Sequence, residues 1–256
     1  MSRLAIAFLG QCHTVGYDGV AADRSFPEVC RGVLQAARPE HQVELIVRQY
    51  HHPAELPSAA AEALRSGPRV IVVEVVGWLA MVGSNGVDLS RLPRRVRSAY
   101  ERVRFFRQAS RRVALQTQGA DLIHIVREGA LGVASSLLRP LLARLPRPTI
   151  VEYEACVGEA LDLIAQQGVP AVVQGPGSGN FAVRGVRLPA NAMQLYREVA
   201  AMARRIAAAH GARFVDRWDT VAGCDFYLSG STRPSARGHS VWGHLLADHL
   251  LRDGLV

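Results

Sequence analysis

Lysine is absent from this 256-residue chain: all 30 Lys+Arg positions are arginine, set against 22 Asp+Glu, for a formal net charge of +8. Codon bias accounts for the exchange of lysine for arginine but not for the surplus of positive charge. Without lysine, the glycine-rich stretch 175–180 (G-P-G-S-G-N) is no phosphate loop of the Gly-Lys-Ser/Thr type, and it reads as a flexible rim. Aromatic residues make up only 6% of the chain, and no nucleic-acid motif is present, so nucleic acid is not an expected partner. The four cysteines (Cys12, Cys30, Cys156, Cys224) form no C-x-x-C pair and lack zinc-ligand spacing. No metal or cofactor is expected. No apolar run reaches the roughly 18 residues that span a bilayer, and the N-terminus lacks the signature of a signal peptide. The chain reads as cytoplasmic, with its cysteines free.

Hydrophobic patterning alternates between strands and helices. Residues 4–9, 42–48, 69–76, 170–174 and 212–216 are expected as strands. The third, R-V-I-V-V-E-V-V, has the near-continuous β-branched run of a strand buried on both faces. Helices are expected over 26–37, 57–65, 152–167, 191–210 and 234–251. This alternation predicts an α/β domain whose parallel sheet is covered by helices on both sides. Residues 84–148 break the rhythm and read as a helical insertion or lid. Nine arginines fall between Arg91 and Arg112, with Glu101 the lone acid among them. That face suits an acidic partner such as an acyl carrier protein, or an anionic membrane surface.

Right-handed crossovers gather all strand C-termini along one edge, where such sheets bind ligands. The residues expected there are Gln11, Cys12 and His13 after the first strand, His51 and His52 after the second, Glu74, Gly77 and Trp78 after the third, and Asn180 beyond the fourth. Cys12 is either a packed small hydrophobe or a nucleophile at the lip of the sheet. Glu74 lies within an apolar run, so it is either neutral or paired with arginine or histidine.

Gly10-Gln11-Cys12 stands where the SGNH (GDSL-type) hydrolases carry Gly-Asp-Ser, and the stretch from Pro234 through Gly238-His239 into the last helix is similar to their C-terminal motif. The chain thus resembles a divergent member of that superfamily. The resemblance implies a flavodoxin-like three-layer α/β/α sandwich with a five-stranded parallel sheet, and acyl chemistry at the end of strand one. It places Arg233 at the position of the catalytic histidine and Gly230 at that of the aspartate. Gly10-Gln11-Cys12-His13 is also similar to a Gly-Asn-Cys-Gln in a capsule-polysaccharide biosynthesis group of SGNH-like fold.

A thiolate tolerates the loss of a histidine base better than a serine hydroxyl does. The expected reaction is attack of Cys12 on an ester or thioester, with hydrolysis, acyl transfer or cyclisation following. In this scheme the backbone N–H groups of Cys12 and Gly77 bind the oxyanion, and His51 transfers the proton. Arg233 anchors negative charge, and Glu74 completes the catalytic set. His13 is expected to point away from Cys12; with Gln11, Trp78 and Asn180 it is assigned to substrate binding. His239 is expected to cap or pack the last helix. The alternatives are a binding protein of this fold without turnover, and a non-acyl lyase or isomerase using Glu74 and His51.

Overall fold

The computed structural model describes residues 2–16, 20–50, 52–76, 149–177, 192–218, 220, 226 and 234–256. The chain divides into two units, Met1–Val82 with Pro148–Val256, and Gly83–Arg147. The second, which holds nearly all of the expected insertion and the arginines between Arg91 and Arg112, lies outside the described residues.

Five strands among the described residues, β1 (Ser2–Gly10), β2 (His41–Gln49), β3 (Val70–Glu74), β4 (Ala171–Gln174) and β5 (Arg213–Val215), pair in parallel in the order β2-β1-β3-β4-β5. Five α-helices accompany them among the described residues: α1 (Phe26–Ala37), α2 (Leu56–Leu64), α3 (Ile150–Gln166), α4 (Ala192–Ala209) and α5 (Ala236–Arg252). Strand order reverses between β1 and β3, so the crevice beyond their C-terminal ends is the expected ligand position of a flavodoxin-like sheet.

The period of two along β1 sorts the core into two layers. Leu4, Ile6 and Phe8 face α1 and α5, together with Val70, Val72, Val172 and Val215. Ala5, Ala7 and Leu9 face α2, α3 and α4, together with Ile71, Val73 and Val173. In α1, Phe26, Cys30 and Leu34 recur at every fourth residue and are fully buried, which makes one apolar stripe. α5 meets α1 closely at Gly243, where a Cβ would stand 2.6 Å from Val29. α3 begins with a capping box in which Thr149 and Glu152 bond each other's backbone N–H.

The outer edge of β2 is blocked by side chains. Gln35 of α1 donates to the carbonyl of His41 at 2.7 Å and accepts from the N–H of Val43 at 3.0 Å. It thereby imitates a neighbouring strand. Arg48 bonds the carbonyl of Val47 further along. Such plugs protect an edge from pairing with another chain.

Candidate active site

β1 ends in Gly10, and the chain then turns through a short 3-10 segment, Cys12–Thr14. Thr14 closes this turn by donating from both its backbone N–H and its hydroxyl to the carbonyl of Gln11. The turn wraps around Glu74, the last residue of β3. Gly10 makes room for the carboxylate: a Cβ there would stand 2.7 Å from Glu74 Oε2 and press into Thr14. Gln11 N–H points at Oε2 (3.4 Å), and His13 Nδ1 lies 3.3 Å from Oε1. Both residues that flank Cys12 therefore address one buried carboxylate.

The same Oε1 accepts from Arg217 Nη1 at 3.1 Å, in an ion pair whose two side chains are 2% and 1% exposed. Burial by itself pushes the Glu74 carboxyl up. His13, and then Arg217, outweigh it and hold the group at about 2. An ionised carboxylate only accepts hydrogen bonds, so His13 Nδ1 is the donor. Arg217 follows β5 by two residues. It also donates from Nε to the carbonyl of Gly175 (2.6 Å) and lies 4.1 Å above the Trp242 ring centroid, a cation–π stack.

α5 supplies the wall of this cluster. His239 is fully buried, and its Nδ1 accepts the N–H of Phe26 at 3.0 Å. That N–H opens α1 and has no intrahelical acceptor. Burial, followed by the His13 charge, lowers the His239 imidazole to about 3; Glu74 opposes this and Arg217 adds to it. His239 is neutral, with its proton on Nε2. The rings of His13, His239 and Trp242 stand 6.1–6.4 Å apart.

On the opposite face of β3, Val76 N–H donates to Tyr153 Oη (2.9 Å), Tyr153 Oη meets Tyr50 Oη (2.9 Å), and Tyr50 donates to the Glu74 carbonyl (2.5 Å). Burial pushes both phenols up, so they stay neutral. This relay clamps the backbone that carries Glu74. Gln174 is the register partner of Glu74 on β4. Its buried amide nitrogen and oxygen both lack a hydrogen-bond partner among the described residues, as do Ser25 Oγ and Trp242 Nε1.

The structure thus brings Gln11, His13 and Glu74 together and sets the backbone of Cys12 between them. The His13 ring sits on Glu74; its direction relative to the Cys12 side chain lies outside the described residues. The partner that Glu74 required is Arg217, together with His13. His51, Gly77, Trp78, Asn180, Arg233 and Cys224 lie outside the described residues, as does the side chain of Cys12. His52 caps the turn Pro53–Glu55 by accepting the N–H of Ala54, in a capping box with Glu55. The stretch expected to be a flexible rim begins with a fixed residue, because Gly175 is bonded through its N–H to Val215 and through its carbonyl to Arg217. Cys30 is buried and its thiol is pushed up, as packing predicts; Cys156 is half-buried. Sequence reasoning missed Arg217, although it directly follows the strand expected over 212–216. Among the described residues no group of three His, Cys, Asp or Glu is arranged to hold a metal, and no helix is long and apolar enough to cross a membrane.

Comparison with solved structures gives the class of fold. A lipase/acylhydrolase from Enterococcus faecalis is similar at TM-score 0.57 and 14% identity, covering 98% of this chain and 96% of that one. An acetylxylan esterase from Geobacillus stearothermophilus matches at TM-score 0.57 and 14% identity, over 99% and 95% of the two chains. An extracellular lipase from Streptomyces rimosus matches at TM-score 0.52 and 16% identity, over 96% and 98%. The chain therefore has the three-layer fold of the SGNH (GDSL-type) hydrolases. No protein-family model and no curated protein matches it.

Proposed function

We propose that the chain is an acyl-processing enzyme in which Cys12 is the nucleophile and the His13–Glu74 pair moves the proton. One observation carries this reading: the turn at the β1–β3 crevice places Cys12 between Gln11 and His13, both of which address the buried, ionised Glu74. A carboxylate that holds histidine through Nδ1–H leaves Nε2 as the nitrogen that exchanges a proton. His13 thus takes the role first assigned to His51. Because Glu74 is held ionised, it orients and does not donate, which disfavours a lyase or isomerase that needs Glu74 as an acid.

In the reaction, the Cys12 thiolate forms a bond to the acyl carbon of an ester or thioester. The carbonyl oxygen takes the negative charge opposite the backbone N–H groups of Cys12 and Gly77. The tetrahedral species collapses, the bond to the leaving group breaks, and that group takes the proton of the His13 imidazolium. The acyl-enzyme thioester is then opened by an acceptor whose proton returns to His13. Trp78 and Asn180 are assigned to substrate binding, and Arg233 to a substrate carboxylate. The lipase and esterase names of the similar structures favour an acyl substrate. An acidic carrier docking between Arg91 and Arg112 would deliver it as a thioester.

The test is intact-mass detection of an acyl adduct on Cys12 after incubation with a panel of acyl thioesters. An adduct lost in Cys12→Ala supports the reading. Turnover that persists in Cys12→Ala refutes it, and absence of both adduct and turnover favours a binding protein.

A further inference from the structure

Among the described residues, cationic and neutral groups face Glu74 from several elements. From β1 and its turn come Gln11 N–H and His13; from the segment after β5 comes Arg217; α5 offers His239, which is neutral; beneath lie Tyr50 and Tyr153, also neutral. Among the described residues one carboxylate thus faces both an arginine and a histidine. In a hydrolytic triad the carboxylate stabilises the imidazolium, and this makes histidine a good base toward water. Here Oε1 is shared: Arg217 at 3.1 Å and His13 at 3.3 Å bond the same oxygen. The arginine cannot rotate off it, because Nε is tied to Gly175 and the guanidinium is stacked on Trp242.

We infer that Arg217 is a positioning residue of the proposed reaction: it fixes the Glu74 carboxylate and draws charge from the His13 contact, so that the acyl group passes to an amine in preference to water. This inference rests on the Cys12 reading for the reaction, but not for the clamp itself. An amine already has its nucleophilic lone pair. It attacks the acyl-enzyme, the C–N bond forms as the C–S bond breaks, and the surplus ammonium proton passes to His13 or to the departing thiolate. Water needs its proton removed during attack, and a histidine whose carboxylate is shared with an arginine is poorly backed for that step.

Two measurements test this. First, wild type, Arg217→Lys and Arg217→Met are given an acyl N-acetylcysteamine thioester with glycinamide, and amide and free acid are quantified by mass spectrometry. Amide should exceed acid in wild type. The amide-to-acid ratio should fall about tenfold or more in Arg217→Met and recover in part in Arg217→Lys. Second, the Glu74 carboxyl carbon is titrated by NMR. In Arg217→Met its proton affinity should rise between roughly tenfold and a thousandfold. Acid-dominated product from wild type, or a ratio unchanged in Arg217→Met, overturns the assignment of the acceptor. A Glu74 carboxyl that titrates in the ordinary range in the native wild type overturns the clamp, and that arm needs no variant to fold. Absence of an adduct on Cys12 overturns the nucleophile reading instead, and the Glu74 titration still decides the clamp.

Discussion

His239 makes acid sensitivity a direct consequence of the packing between α1 and α5. Its imidazole is held at about 3 in the folded protein, against an ordinary value of 6.5. Between those limits the unfolded chain binds a proton that the native state refuses, so stability rises with pH across the window. The contribution is complete above about 6.5 and disappears as pH falls toward 3. Integrating over the part of the window that is easily reached, from pH 7 to pH 5, gives a loss of about 2 kcal/mol. Glu74, held at about 2, works in the same direction, but only below its ordinary value of 4.5, so it leaves this interval untouched. The variant to compare is His239→Gln, whose amide oxygen can still accept the Phe26 N–H. Urea midpoints measured at pH 7, 6 and 5 should fall more steeply for wild type than for the variant. The gap between the two slopes should amount to about 2 kcal/mol across the interval. Equal slopes would show that His239 is not buried neutral against α1, whatever the variant's absolute stability.

Three other perturbations follow from the same packing. Gly10→Ala drives a methyl group against Thr14 and the Glu74 carboxylate, and should cost about 1–3 kcal/mol in chemical denaturation; a neutral result would mean that the turn does not wrap Glu74 as described. Gln174→Met removes two unpaired buried polar atoms, each costing roughly 1–3 kcal/mol, and should leave the melting temperature unchanged or raised; a marked fall would reveal a partner for that amide. Gln35→Leu strips the plug from His41 and Val43 and should produce concentration-dependent association in light scattering; a strictly monodisperse variant would count against the edge-blocking role.

Much of the fold was legible because periodicity is a local property. The V-I-V-V-E run of β3 and the fourfold spacing of Phe26, Cys30 and Leu34 specify buried faces without reference to the rest of the chain. The crossover rule then placed Glu74 and the Cys12 turn at one edge. Other features of the site were not legible, because they depend on distances between strands that a sequence does not carry. That His13 meets Glu74 is one such feature, because the 3-10 turn after β1 brings its ring onto a residue 61 positions away. Tyr153 sits 77 residues beyond the Val76 N–H it receives, across the segment 77–148, and nothing in its own helix marks it as a clamp.

What the sequence determined by itself is the alternation of elements, the strand that buries an acid among valines, and the choice that acid faces between neutrality and a cationic partner, since an unpaired charge inside a core is too costly to persist. The tertiary structure alone decided that it is paired, and with which cation. Arg217 reaches Glu74 from a strand two places across the sheet, because strand order and the stack on Trp242 aim it there. Ion pairing acts over a few ångströms of space, and separation along the chain has no bearing on it.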